Sequence, residues 1–219
     1  VFMGIQVQGY YENQNAEDRM KEYMHRLHDD ISLSLSQTTQ TKNFVSQNLD
    51  NLKLVVVSIN NCSVDDSQRD QFANGLYHIG KVIPEQFVDG TLKELRASGQ
   101  LLLLESPALR EEINEMVREH EYLARVWPAL QRRVQDNRDY IDSKIIYNID
   151  RTTDGYTMIN WSEIKIDLDE VCNDREFRAR LSGLIRSANV NIGWLTRNLK
   201  NFEKVKLTLE QALDIVPAS

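Results

Sequence analysis

Turn-forming residues are scarce in this chain. Its 219 residues include 9 glycines and 4 prolines, and neither residue type occurs between Gly9 and Gly75. β-Sandwiches and barrels need many tight turns, so this scarcity argues against them and favours long helices. The composition is 41% hydrophobic and 27% charged, which is enough apolar material for a buried core.

Basic clusters and cysteine motifs are also lacking. The net charge is −7 and no long run of Lys and Arg occurs, so we predict no nucleic-acid partner. The only cysteines are Cys62 and Cys172, without a Cys-x-x-Cys motif. An oxidising compartment would allow them to pair, whereas two partly buried thiols are the simpler interpretation, and the sequence leaves both open.

Motifs for catalysis, phosphate binding and metal binding are absent or incomplete. The chain has no Gly-x-Ser-x-Gly, Ser-x-x-Lys or glycine-rich phosphate loop. Glu22, His25 and His28 share one predicted helical face and supply half of the Glu-x-x-His pattern of di-iron bundles. The second half is missing, because His120 follows Val117 at that spacing. We therefore predict no catalytic, cofactor-binding or metal-ligating residues and a protein that is not an enzyme.

Two further groups of residues invite a functional interpretation without supporting one. Several acids in and around one long loop lack the regular spacing of a calcium-binding loop: Asp150, Asp154, Asp167 and Asp169. The three tryptophans are predicted to be core residues rather than a ligand cage: Trp127, Trp161 and Trp194.

The first sixty residues carry a helical apolar stripe. Its members recur at three- and four-residue steps: Met20, Met24, Leu27, Ile31, Leu35, Val45, Leu49, Leu52, Val56 and Ile59. Thr38 and Lys42 fill the gap in this stripe. The pattern predicts one helix over about residues 10–60, which would be about 75 Å long at 1.5 Å per residue. A helix of that length indicates an elongated molecule.

Capping signals divide the rest of the chain. The residues Asp65, Asp66 and Ser67 predict the start of a short helix that runs to about Lys81. A second short helix is predicted to begin at a capping box formed by Thr91 and Glu94 and to end at Ser98-Gly99. The apolar run Leu101–Leu104 is predicted to be a buried connector or a first helical turn. A further capping box, Asn160 with Glu163, predicts a short helix near Trp161.

Two more long helices are predicted, over residues 107–149 and 174–214. The first begins at Ser106-Pro107, and the second begins at Asn173 or Asp174 and ends before Pro217. The fold class is therefore all-α, as an elongated antiparallel helical bundle with coiled-coil-like packing and a single domain over residues 10–216.

Residues 1–9 differ in character from the rest of the chain. Val1–Val7 is apolar and uncharged, and Tyr10-Tyr11 marks the change to polar sequence. Seven residues are too few to span a bilayer, which takes about 20. The residues themselves leave open a frayed apolar end and the trimmed end of a membrane span, whose edge the tyrosines would mark.

Three local patterns resemble a family of uncharacterised bacterial proteins. They are Gly4-Ile5-Gln6-Val7 with Tyr10 and Glu12, then Thr91, Glu94-Leu95, Ser98-Gly99 and Leu109-Arg110, then Asp174, Glu176-Phe177-Arg178 and Leu181. Family members have one N-terminal transmembrane helix followed by a helical domain of about this length. They carry Trp-Asn-Glu at the membrane edge, where this chain has Tyr10-Tyr11-Glu12.

The resemblance implies a membrane location. Residues 1–9 would end a transmembrane helix from which the long first helix continues, in a single-pass protein of the bacterial inner membrane with its bulk in the periplasm. We then expect a membrane-anchored, non-enzymatic scaffold or protein-interaction module that forms a homo-oligomer or binds a partner protein. The alternative is a ligand-sensing extracytoplasmic helical domain.

Overall fold

The computed structural model describes the backbone of residues 2–149 and 158–215, with side chains from residue 17 onward. Within these ranges the chain is mostly helical, which confirms the all-α prediction. The elements are α1 (Phe2–Asn60), α2 (Arg69–Tyr77), α3 (Gly90–Ala97), α4 (Pro107–Asp142), β1 (Ile145–Tyr147), β2 (Ile164–Ile166), α5 (Leu168–Asn173) and α6 (Arg175–Ala212).

Buried positions recur along α1 at alternating steps of four and three. They are buried or half-buried: Met20, Met24, Leu27, Ile31, Ser34, Thr38, Thr41, Val45, Asn48, Leu52, Val55 and Ile59. The stripe predicted from sequence differs in its middle, because Ser34 and Thr41 are buried there and Leu35 and Lys42 are only half-buried. The centre of this helical face is therefore polar rather than apolar.

Most predicted helix starts are confirmed by their caps. The Asp65 carboxylate accepts a hydrogen bond from the Ser67 amide at 2.8 Å and so caps a 3₁₀ turn, Asp66–Gln68, that leads into α2. The Leu109 amide donates to the Ser106 hydroxyl at 3.2 Å at the start of α4. The Asp174 carboxylate accepts from the amides of Glu176 and Phe177 at 2.8 and 3.0 Å. Asn160 and Glu163 form the predicted capping box of a short 3₁₀ turn.

Three predicted boundaries are wrong. The long helix predicted to reach residue 149 ends at Asp142, because residues 145–147 pair antiparallel with residues 164–166. α2 ends at Tyr77 and not near Lys81, since Gly80 adopts a left-handed φ of +71° that no helix continues. Thr91 lies inside α3, whose N-cap is Asp89, so it does not cap the helix.

The chain forms two compact units. Unit 1 comprises Val1–Thr39, Glu85–Tyr122 and Arg197–Ser219, and unit 2 comprises Gln40–Pro84 and Leu123–Thr196. Each unit has a hydrophobic core of its own. The sequence-based prediction of one domain over residues 10–216 stays a prediction.

In unit 1 a non-helical strap, Glu85–Asp89, lies along α1. Thr38 Oγ1 accepts from the Gln86 amide at 3.2 Å, and Ser34 Oγ accepts from the Val88 amide at 2.9 Å. Each step of four residues along the helix advances about 6 Å, and two residues of extended chain advance about 6.6 Å. The matching rises explain why Ser34 and Thr38 occupy the middle of the stripe, since each of them satisfies a backbone amide of the strap.

In unit 2 a disulfide joins Cys62 to Cys172, across 110 residues of sequence. Of the two interpretations that the sequence left open, a disulfide and two partly buried free thiols, the structure has the disulfide. Cys62 follows the end of α1 with a left-handed φ of +48°. Its neighbour Ser63 donates an amide hydrogen bond to Ser58 O at 3.1 Å, and Cys62 N donates to Ile59 O at 3.4 Å. These two bonds form a Schellman motif, which ends the helix.

The membrane prediction is wrong. Among the residues that the structure describes, no helix is long and apolar enough to cross a bilayer. The physical reason lies in α1, where apolar residues recur in a stripe with charged residues such as Glu17, Asp18 and Arg19 between them. This finding overturns the transmembrane segment of residues 1–9 and the inner-membrane, periplasmic location. The side chains of Tyr10, Tyr11 and Glu12 lie outside the described residues.

Candidate functional site

An apolar groove of about 580 Å³ opens on the surface of unit 1. Its apolar lining comes from four parts of the unit: Met20 and Met24 of α1, Leu103 and Leu104 before α4, Leu109 of α4 and Ala212 of α6. Methionine side chains adapt their shape to what they contact and are frequent on binding surfaces for this reason. The groove is therefore suited to an apolar side chain of another protein segment.

Two leucines stand exposed beside the groove. The run Leu101–Leu104 forms a 3₁₀ turn and its end, so it is partly a helical turn, as the sequence allowed. Side chains three residues apart lie on one side of such a turn, and accordingly Leu104 is buried in the core and Leu101 packs against it. Leu102 and Leu103 point the other way and are 78% and 65% exposed, contrary to the burial expected for this run.

This turn is braced at both ends. Gly99, with a φ of +73°, reverses the chain after α3, and its carbonyl accepts from the Leu102 amide at 3.3 Å. At the other end the Arg110 guanidinium donates to Leu104 O, and the Ser106 hydroxyl caps α4. The exposure of Leu102 and Leu103 is thus imposed by the fold and is not that of a loose loop.

The rim of the groove carries three charged residues. Among the described side chains, Glu17 and Lys21 of α1 and Glu105 beside the turn form no salt bridge. Elsewhere in unit 1 ion pairs are common: Arg26 with Glu94 at 2.7 Å, and Arg197 with Glu119 at 3.0 Å, are examples. The rim therefore offers unpaired charge of both signs around an apolar centre.

Helix α3 is fixed to α1 by a polar cluster. The Tyr23 hydroxyl donates to Glu94 Oε1 at 2.8 Å, and Arg26 donates to Glu94 Oε2 at 2.7 Å. The hydrogen bonds from Tyr23 and then from Arg26 stabilise the carboxylate, so they lower the pKa of Glu94. The cluster anchors the helix that precedes the exposed turn.

A second surface depression of unit 1 has a different character. It measures about 400 Å³ and is lined by Glu115, Arg118, Glu119, Arg197, Lys200 and Asn201. Arg118 is already paired with Glu111 at 2.8 Å, and Arg197 with Glu119 at 3.0 Å. Because these charges largely satisfy one another, the depression is a weaker candidate for binding than the groove.

The histidines singled out from the sequence do not meet at one place. His25 is exposed, whereas His28 is half-buried with Nε2 3.5 Å from a Glu210 carboxylate oxygen. The Nδ1 atom of His120 lies 2.8 Å from Glu85 Oε1, and the His120 ring packs edge-on against Phe87. The part of the chain described contains no group of three or more potential ligands that would hold a metal ion. The expectation of no metal, cofactor or catalytic residue stays a prediction.

Asp167 and the tryptophans have structural roles. Asp167 caps α5 by accepting from the Glu170 amide at 3.0 Å, while Asp150 and Asp154 lie outside the described residues. All three tryptophans pack against the core of unit 2, as expected: Trp127, Trp161 and Trp194.

The groove itself was not predicted from the sequence. The sequence places Met20 and Met24 in the helical stripe and Leu103 and Leu104 in a buried connector or first helical turn, and only the four consecutive leucines give a signal. Four adjacent residues on a helical turn cannot all face one core, so that run already indicated that some would be exposed. Which of them face outward depends on the turn that Gly99 and Arg110 impose.

Comparisons with family models, with curated proteins and with solved structures found no match to this chain. The resemblance to the bacterial family with an N-terminal transmembrane helix therefore remains a prediction, and it contributes nothing to the proposed function.

Proposed function

We propose that this chain is a non-enzymatic helical protein-interaction module that binds its partner through the groove of unit 1. The observation that carries the proposal is the exposure of Leu102 and Leu103 on a braced turn beside an apolar groove. Water around such a surface is released when an apolar partner covers it, and each leucine buried in this way contributes about 1.5–3 kcal/mol. Contiguous exposed apolar surface is typical of interaction sites.

Isolated exposed leucines of the same unit provide the contrast. Leu207 on α6 is 54% exposed but does not line the groove. Single apolar residues of this kind are normal on protein surfaces and need no partner. Leu207 is therefore a matched control for Leu103.

The fold proposed for this module is an elongated, antiparallel, coiled-coil-like bundle. The alternating steps of four and three between buried positions on α1 support it. Small-angle scattering tests it, because a compact domain of 219 residues would have a radius of gyration of about 17 Å. A value near 17 Å would contradict the elongated shape, and a clearly larger one would support it.

The test of the function uses purified chain and Leu103→Asp and Leu207→Asp variants. Partners cross-linked to the chain in its native cells are identified, purified and tested for binding to the purified chain by calorimetry. We expect Leu103→Asp to abolish binding and Leu207→Asp to leave it unchanged. The proposal fails if neither a second copy nor any purified partner binds, or if both variants bind as well as the unchanged chain.

A further inference from the structure

The groove and the exposed turn lie side by side on one surface of unit 1. Leu103 belongs to both, because it lines the groove and is itself exposed, and Leu102 protrudes next to it. A surface that presents an apolar protrusion beside an apolar depression is complementary to itself. Two copies related by a two-fold axis can each insert the protrusion into the depression of the other, which is the isologous arrangement of most homodimers.

The charges of the rim fit the same arrangement. Of the three rim charges, Glu105 stands on the side of the protruding turn, whereas Lys21 and Glu17 stand on the α1 side of the groove. When the turn of one copy enters the groove of another, the acid beside the turn approaches the base beside the groove. Neither residue has an ion-pair partner within the described part of its own chain, so each is available to the other copy.

We propose that the partner bound by the groove is a second copy of this chain, in a two-fold dimer. Leu102 and Leu103 of each copy enter the groove formed by Met20, Met24 and Leu109 of the other. Lys21 of each copy pairs with Glu105 of the other. This proposal rests on the proposed function, because it names the partner of the same groove.

Sedimentation velocity on the intact chain, from about 1 to 100 μM, is the primary test. We expect concentration-dependent dimers for the unchanged chain. Leu103→Asp should weaken dimerisation at least about 100-fold, because it places a charge in an apolar contact and removes a buried leucine. Leu207→Asp, the matched control, should leave the dimer unchanged.

A charge exchange tests the pairing without altering the apolar contact. Lys21→Glu or Glu105→Lys alone should weaken the dimer about two- to thirtyfold, because the two-fold axis creates two such exposed ion pairs and either change removes both. The double variant, Lys21→Glu with Glu105→Lys, should restore it. Failure of the double variant to recover overturns the proposed pairing of these two residues. Circular dichroism on every variant separates loss of dimer from loss of fold.

The remaining outcomes distinguish this inference from the proposed function. A chain that stays monomeric at the highest concentration, yet binds a purified different protein in a Leu103-dependent way, overturns the dimer and leaves the interaction function standing. A monomer that binds nothing overturns both. A dimer that Leu103→Asp and Leu207→Asp weaken equally places the contact elsewhere and overturns this proposal.

Discussion

Unit 2 contains a disulfide, a two-stranded sheet and three core tryptophans, whereas unit 1, within its described residues, relies on packed helices and side-chain hydrogen bonds. The strap of unit 1 is fixed through the hydroxyls of Ser34 and Thr38. Unit 1 also presents the braced, exposed leucines, while the large apolar residues exposed in the described part of unit 2, such as Val57 and Val190, are not adjacent in sequence.

The difference separates two roles. Unit 2 resembles a structural support, since its cross-link and aromatic core restrict the chain. Unit 1 keeps apolar surface exposed, which stabilises a complex rather than the free chain. If this division is right, changes in unit 2 should act on folding, and changes at the groove of unit 1 should act on association.

The largest effect is expected from removing the disulfide. Replacing Cys62 and Cys172 by Ser should lower the free energy of unfolding by about 4 kcal/mol, because the cross-link spans 110 residues and restricts the unfolded chain strongly. Urea denaturation measures the loss. Hydrogen exchange should show that amides of unit 2 lose more protection than those of unit 1. An equal loss of amide protection in both units would contradict the structural role that the disulfide is given in unit 2.

A smaller loss is expected from Gly75→Ala within unit 2. A Cβ at this position would lie 2.7 Å from Asn51 O and 2.7 Å from Val55 Cγ2, so α2 would have to move away from α1. We expect about 1–3 kcal/mol of destabilisation, measured by urea denaturation. Gly193→Ala is the control, because a Cβ there meets nothing within 4 Å, and it should stabilise α6 by about 0.5–1 kcal/mol. Equal effects of the two changes would show that close packing at Gly75 does not matter.

The strap of unit 1 provides the next test. Ser34→Ala leaves the Val88 amide without its acceptor, which should cost about 1–2 kcal/mol of unfolding free energy. Ser36→Ala, on the exposed side of the same helix, should change it little. Hydrogen exchange at residues 86–91 should rise in the first variant only. Unchanged exchange there would mean that the hydroxyls do not hold the strap.

The smallest effect is expected at acid pH, where a tyrosine-bonded carboxylate of unit 2 can be compared with one of unit 1. The Tyr140 hydroxyl, together with backbone amides, lowers the pKa of Asp174 in unit 2, and the Tyr23 hydroxyl lowers the pKa of Glu94 in unit 1. A lowered pKa stabilises the fold above the unfolded pKa, and this stabilisation is lost as the pH falls through the folded pKa.

Tyr140→Phe and Tyr23→Phe should therefore each reduce the loss of stability between neutral and acid pH. The free energy of unfolding, measured by urea denaturation at a series of pH values, reports this loss. An unchanged acid dependence in either variant would show that the tyrosine does not stabilise the charged form of its partner.

Helix positions and most helix starts were predictable from the sequence, because their causes are local. Ser106-Pro107 begins α4 and Asp174 begins α6 through hydrogen bonds to amides two or three residues away. The period of the apolar residues likewise requires no knowledge of the partner. The membrane location that the resemblance implied was wrong, because no helix among the described residues is long and apolar enough to cross a bilayer.

The features that required distant residues were not predictable. The strand at residues 145–147 exists through its pairing with residues 164–166, and the helical pattern before it continued without a break in the sequence. The candidate groove combines residues 20, 24, 103, 104, 109 and 212. No local pattern marks such a set, because its members come together only when three helices pack.

By itself, the sequence determined a mostly helical chain and the places where most of its long helices begin, because backbone capping and helical periodicity act over a few residues. Only the tertiary structure decided that Cys62 meets Cys172, that Ser34 and Thr38 hold a strap, and that Leu102 and Leu103 face solvent. Each of these features depends on which distant segment of the chain packs against the residue. Burial and hydrogen bonding are set by that contact and cannot be read from the neighbouring residues in sequence.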